Sequence, residues 1–181
     1  MNADEKGRES LATAWREARQ FADKPKDWLV LLGTHGCGKT HLAAAISNVM
    51  LKAGRPVFFA VVPELLDHLR STFSPESKVT YDRVFEAVKT APLLILDDLG
   101  TESGTPWAQE KLYQVLNYRY NSRLPTVITV AGFLEDLEGR LSSRLTDPKL
   151  SNVIAISAPD YRLQIKPPNG YRPPRQPRRR G

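Results

Sequence analysis

The chain carries five short apolar runs, Trp28–Leu32, Val57–Val62, Leu93–Leu96, Thr126–Val130 and Val153–Ile156, each nearly unbroken by charge. Strands with one wet face alternate apolar and polar residues, whereas unbroken runs of this length are the pattern of strands covered on both faces. Between the runs, apolar residues return at helical spacing over about Lys39–Ala53, Glu64–Thr72, Tyr81–Thr90, Trp107–Asn121 and Leu137–Leu145. Strand and helix in alternation predict an α/β fold around a parallel sheet. Two helix starts are marked chemically. Pro63 stands at the head of Glu64–Thr72, and Thr105-Pro106 supplies an N-cap followed by proline at the first helical position. Residues 74–79, Ser-Pro-Glu-Ser-Lys-Val, break the helical pattern and predict an exposed loop. Trp28, Phe58, Phe59, Trp107 and Tyr113, at strand and helix spacings, are expected in the core.

With 181 residues the chain has the length of one domain. It divides into an N-terminal helical segment, 1–24, a core, 25–162, and a tail, 163–181. The formal net charge of +6 resides in that tail. Six of the 26 basic residues, Lys166, Arg172, Arg175, Arg178, Arg179 and Arg180, fall there without an acid, and the remaining 20 match the 20 acidic residues of 1–162. Prolines at 167, 168, 173, 174 and 177 oppose helix and inner strand, so a disordered basic arm is expected. Its two readings are phosphate-backbone contact through counterion release and a solubilising end. Cys37 is the only cysteine, which excludes an intramolecular disulfide and a cysteine zinc site, and His35, His41 and His68 lack the spacing of a zinc motif. No apolar run approaches the roughly 20 residues of a spanning helix, and Met1–Gln20 alternates charges, so a soluble cytoplasmic protein with no membrane association is expected.

The strongest chemical signal is Gly33-Thr34-His35-Gly36-Cys37-Gly38-Lys39-Thr40, which fits G-x-x-x-x-G-K-[ST] in full, between an apolar strand and an apolar-striped helix. Glycines there let backbone N–H groups curl around phosphate oxygens, and the helix opening at Lys39 points its positive end at the same anion. His41 continues that first turn. In this reading Lys39 reaches the β- and γ-phosphates of ATP, and the Thr40 hydroxyl ligates Mg²⁺. A second signal is Leu93-Leu94-Ile95-Leu96-Asp97-Asp98, four apolar residues ending in two carboxylates. That places both acids at the carboxyl tip of a strand, where ligands bind in open α/β sheets. Asp97 is the expected magnesium ligand, and Asp98 the residue that orients and deprotonates the attacking water.

Several phosphate-loop classes lack their second motif. Asp97-Asp98-Leu99-Gly100 reads as D-x-x-G, but the chain has no Asn-Lys step for a guanine-reading N-K-x-D, and no L-S-G-G-Q of a transporter ATPase. A small-molecule kinase stays open through Arg140 and Arg144. These two arginines, four apart and so on one helical face, read from spacing as a solvated helix face or as an arginine finger offered to a neighbouring subunit. Thr129 is the polar residue near the carboxyl tip of the fourth strand.

Taken in order, these pieces resemble the AAA+ ATPases of the DnaC/DnaI helicase-loader and IstB clade. The resemblance runs from about Ala18 to Arg162 and rests on Gly36–Ala45, on Leu96-Asp97-Asp98-Leu99-Gly100-Thr101-Glu102, and on Ser143-Arg144-Leu145. Asn117-Tyr118-Arg119-Tyr120 and Asp160-Tyr161-Arg162 are similar to the same group. The resemblance implies a P-loop NTPase of the AAA+ type with a five-stranded parallel sheet in the order 5-1-4-3-2, flanked by helices, with no separate lid domain. It further implies ATP-dependent self-association through the nucleotide interface, around single-stranded DNA, with a replicative helicase or a transposase as protein partner. Arg144 matches the family's arginine finger, and Pro63–Thr90 its helical insert along single-stranded DNA, which makes Arg70 and Lys78 the expected DNA contacts. Ala131 stands where the family has an asparagine that senses the γ-phosphate, so that role is expected of Thr129. The functional reading is a Mg²⁺-dependent ATPase of DNA replication. Its alternatives are an IstB-like transposition helper and a nucleotide switch with negligible turnover.

Overall fold

The computed structural model describes residues 3–73, 80–100, 105–132, 134–137 and 139–161. The expected loop at 74–79 and the tail at 163–181 lie outside the described residues. In chain order the elements are α1 (Ala3–Asp23), β1 (Trp28–Gly33), α2 (Lys39–Lys52), β2 (Phe58–Val61), α3 (Val62–Ser71), α4 (Tyr81–Thr90), β3 (Leu94–Leu99), α5 (Pro106–Asn121), β4 (Thr126–Ala131), α6 (Gly139–Leu145) and β5 (Ser151–Ile156), with a 3₁₀ turn at Leu134–Asp136. The five strands form one sheet in the order β2-β3-β4-β1-β5, and every pairing between them is parallel. This is the expected order read from the opposite edge.

The unbroken apolar runs arise because both faces of the sheet are covered. Along β1, Trp28 and Val30 point into one cluster with α3, α4, α5 and α6, while Leu29 and Leu31 point into a second with α1 and α2. The same division holds in β3, where Leu94 and Leu96 face the first cluster and Ile95 the second. Helix α1 joins through Ala14, Ala18 and Ala22, a strip of small side chains that lets its backbone lie close to the layer beneath. Trp28 is buried as expected, at 1% exposed, but Phe59 is 37% exposed. It lies opposite Ile95 on edge strand β2, and α2, which covers the inner strands on that face, stops short of the edge. Phe58, Trp107 and Tyr113 are partly buried against the core.

A fully buried arginine ties the sheet's lower end. Arg119 donates to the Lys89 and Ala91 carbonyls at 3.0 and 2.8 Å, to the Pro125 carbonyl at 2.6 Å and to Thr126 Oγ1 at 2.9 Å. Desolvation pushes its guanidinium down to about 10, a shift that Tyr118 partly opposes, so the group stays charged at neutral pH. Several boundaries differ from expectation. Helix α3 opens at Val62 with Pro63 in its first turn, and α6 opens at Gly139, after a 3₁₀ turn at Leu134–Asp136. Strand β5 starts at Ser151, its first two residues being polar on an edge. Strand β3 runs through both acids to Leu99 rather than ending at them. Among the described residues, no helix is long and apolar enough to cross a membrane.

Candidate functional site

The loop between β1 and α2 is shaped by two glycines. Gly38, at φ +106°, is the N-cap of α2 and contributes no side chain, and the first turn of α2 carries no acid. The leading N–H groups of that helix are therefore left to an external anion, at the positive end of the helix dipole. Gly36, at φ +73°, lies under the carboxylate of Asp160, and its carbonyl accepts a hydrogen bond from the Tyr161 amide at 3.1 Å. The segment after β5 thus crosses the loop and clips it from outside. Lys39 is 5% exposed, and its ammonium donates to the Gly33 carbonyl at 2.8 Å and the Thr34 carbonyl at 2.9 Å. Cys37 is buried beneath the loop, while Thr34, His35, Thr40 and His41 are exposed.

The acids on β3 meet the loop through a small hydroxyl network. Thr40 Oγ1 donates to Asp97 Oδ1 at 3.1 Å, and Thr129 Oγ1 donates to the same oxygen at 2.7 Å. The Asp98 amide donates to Thr129 Oγ1 at 2.9 Å. Asp97 is buried, and Asp98, at φ +58°, is half-buried and lines the cleft above the loop. Sequence reasoning put both acids at a strand tip. Instead they sit inside β3 at a break in register, where Leu96 opposes Ile128 and Leu99 opposes Val130. The two acids therefore stand opposite Thr129 alone, a β-bulge that turns one side chain into the strand pair and the next toward the cleft.

That cleft measures about 1060 Å³ and has a wall that sequence reasoning missed. Leu11 and Trp15 of α1 face the phosphate loop across it, and Trp15 is 52% exposed. Gly7 lets α1 approach this closely, since a Cβ there would come within 3.2 Å of the Ala158 Cα. Ser10 Oγ accepts the Ser157 amide at 3.0 Å, and Glu17 accepts from Asn152 at 2.7 Å, pinning α1 to the β5 edge. In the sequence, the wall shows only as Leu11 and Trp15 at helical spacing along one flank of the Ala14, Ala18 and Ala22 strip.

Arg144 is not brought to the loop of its own chain. Its guanidinium lies on α5, donating to Tyr113 Oη at 3.0 Å, Asn117 Oδ1 at 2.7 Å and the Arg140 carbonyl at 2.9 Å. Both Arg144 and Arg140 lie over the Tyr113 ring, at 4.7 and 4.4 Å from its centroid. Beside them Tyr120 Oη donates to Asp147 Oδ2 at 2.5 Å, a bond that holds the Asp147 carboxyl below its usual value and raises the Tyr120 phenol. Arg70 is exposed on α3, its guanidinium 5.0 Å from the Trp107 ring centroid, and it does not line the cleft above the phosphate loop. Lys78 lies outside the described residues.

A strand, a phosphate loop, a helix start and a carboxylate pair on the next-but-one strand define a phosphate-loop nucleotide-binding protein of the AAA+ type. The chain belongs to the family of IstB-like ATP binding proteins, which it matches over residues 3–157. The replicative helicase loader DnaC of Buchnera aphidicola subsp. Schizaphis graminum (strain Sg) is 27% identical over 133 residues, covering 74% of this chain and 52% of that protein. The replicative helicase loader DnaI of Bacillus subtilis (strain 168) is 35% identical over 99 residues, 54% of this chain and 31% of the relative. A crystal structure of the DnaC helicase loader superposes with a TM-score of 0.70 at 25% identity, covering 81% of this chain and 90% of that one. The chain spans about half the length of the curated DnaC relatives it matches. It is an ATP-binding, DnaC-like AAA+ protein.

Proposed function

We propose that this chain is a Mg²⁺-dependent ATPase that works in DNA replication as a helicase-loader-like protein, using ATP to assemble subunits and hold single-stranded DNA. The observation that carries the reading is the network joining Thr40 of the phosphate loop to Asp97, with Asp98 beside it in the same cleft. The loop amides and the start of α2 would take the β- and γ-phosphates, and Lys39 would exchange its Gly33 and Thr34 carbonyls for phosphate oxygens. Thr40 and Asp97 offer hard oxygen donors, and among the described residues no three His, Cys, Asp or Glu groups gather to hold a metal unaided. That donor set fits Mg²⁺, which takes one or two protein ligands and completes its shell with phosphate and water. When bound, Mg²⁺ neutralises charge on the β- and γ-oxygens. Asp98 would orient the attacking water and accept its proton. Trp15 and Leu11 supply an apolar platform for the base.

Arg144 would act on the nucleotide of a neighbouring copy, after leaving Tyr113 and Asn117. Single-stranded DNA is supported by Arg70 lying over Trp107, with the exposed Phe73 ring stacked on Tyr81 beside it. Stacked rings next to a guanidinium are a platform for unpaired bases. A replicative helicase as partner is supported by the names of the DnaC and DnaI relatives. The match to the IstB-like family leaves a second reading beside it, an IstB-like transposition helper working with a transposase.

The deciding experiment is steady-state ATP hydrolysis alone, with single-stranded DNA and with duplex DNA, beside Lys39→Ala. We expect turnover that single strands raise and that Lys39→Ala lowers by about 100-fold or more, as loss of transition-state charge stabilisation does. Stimulation by duplex alone would favour the transposition reading. Tight ATP binding without turnover in any condition would replace both with a nucleotide switch.

A further inference from the structure

We propose that Thr129 is a positioning residue that holds the Asp97–Asp98 bulge in register with the phosphate loop, acting through the two acids instead of touching the nucleotide. The inference rests on the ATPase reading above and reassigns the residue from which γ-phosphate sensing was expected.

Thr129 is fully buried. A threonine hydroxyl has a single hydrogen to donate. Here it goes to Asp97 Oδ1 at 2.7 Å, while the oxygen accepts the Asp98 amide at 2.9 Å. With that hydrogen committed, the side chain cannot donate to a phosphate while the network stands. The register explains why a hydroxyl is needed at this position. Two residues of β3 oppose one of β4, so the regular ladder is interrupted at Asp98, and Thr129 Oγ1 supplies its amide with an acceptor. The same contact restrains Asp98 at φ +58°, a left-handed conformation that L residues avoid unless their surroundings fix it. On its other side, the hydroxyl fixes which oxygen of Asp97 meets Thr40. Thr129 thus sets two things at once: the rotamer of the expected magnesium ligand and the backbone of the expected base. Hydrogen bonds to a metal-ligating carboxylate from outside the coordination shell govern both metal affinity and activity.

The test compares Thr129→Val, which keeps the shape and strand preference but removes the hydroxyl, with Thr129→Ser, which keeps the hydroxyl. The probes are a fluorescent ATP analogue titrated in EDTA, the Mg²⁺ dependence of its binding, turnover, and hydrogen exchange at the Asp98 amide. For Thr129→Val we expect affinity in EDTA within about twofold of the parent, with a Mg²⁺ midpoint raised about tenfold and turnover lowered about tenfold or more. The Asp98 amide should exchange faster in Thr129→Val, and Thr129→Ser should restore all three properties. An unchanged Mg²⁺ midpoint in Thr129→Val overturns the proposal. So does a comparable loss of affinity in EDTA, which would mean direct nucleotide contact, or a serine variant that behaves like valine. If the parent binds nucleotide but never hydrolyses it, the enzymatic reading fails alone. The Mg²⁺ midpoint, the exchange rate and the serine rescue still decide the role of Thr129.

Discussion

Gly36 shows how narrowly a single position is specified. Its backbone sits at φ +73°, where a side chain is strained, and a Cβ there would meet Asp160 Oδ1 at 1.8 Å. Gly36→Ala therefore suffers twice, from the left-handed backbone and from displacing the Asp160 carboxylate that lies over the loop. The backbone part costs about 1–2 kcal/mol. Urea unfolding should show at least that loss, and adding Asp160→Gly to Gly36→Ala should recover only the excess over it. Recovery of the whole loss would mean that the clash alone is responsible. Lys39 offers the complementary case. Its buried ammonium is satisfied by two loop carbonyls, so in the proposed reading a phosphate would enter the loop by taking over those bonds.

Among the elements, α5 ties several others together through one side chain. Through Arg119 it joins the end of α4, the approach to β3 and the start of β4. Arg119→Met would leave buried carbonyls without donors, at about 1–3 kcal/mol for each one that water cannot reach. A fall of at least about 3 kcal/mol in unfolding free energy is the expected result of a denaturant titration. A fall below about 1 kcal/mol would show that water replaces the guanidinium. The inner strands were legible because burial on both faces leaves an unbroken apolar run, as at Leu29–Leu31 and Leu93–Leu96. Phe59 was misjudged because hydrophobicity does not report where a covering helix ends. The phosphate loop was legible as a contiguous motif, and so was the placing of Asp97 and Asp98 with the third strand, but not the bulge that holds them inside it. What escaped was contact across long separations. The bond from Thr129 to Asp97, the Asp160 clip on Gly36 and the Trp15 wall each join residues whose neighbours in sequence give no sign of the partner. The tethering of Arg144 by Tyr113 and Asn117 is of the same kind, since spacing located its helical face but not its partners.

At the scale of the molecule, the cleft is lined by α1, the phosphate loop with the start of α2, Asp98 of β3 and the segment after β5. A ligand spanning them binds only when α1 is seated, so nucleotide should stabilise α1 together with the loop. Bound at 100 times its dissociation constant, it adds about 2.7 kcal/mol to the folded state. Hydrogen exchange across α1 should slow on adding ATP in the parent and less so in Trp15→Ala. Slowing confined to the loop would show that the base does not reach the helix. The strand order has a further consequence, for synthesis. Strand β1 lies between β4 and β5, so Trp28 finds its partners, Thr126 and Ser151, only after about a hundred more residues have been made. At about 5–20 residues per second, the apolar strand that leads into the phosphate loop waits several seconds with both edges bare. A holdase that shields short apolar strands would act on this stretch of the nascent chain, and the nucleotide loop, made before both neighbours of its leading strand, is seated only once they follow.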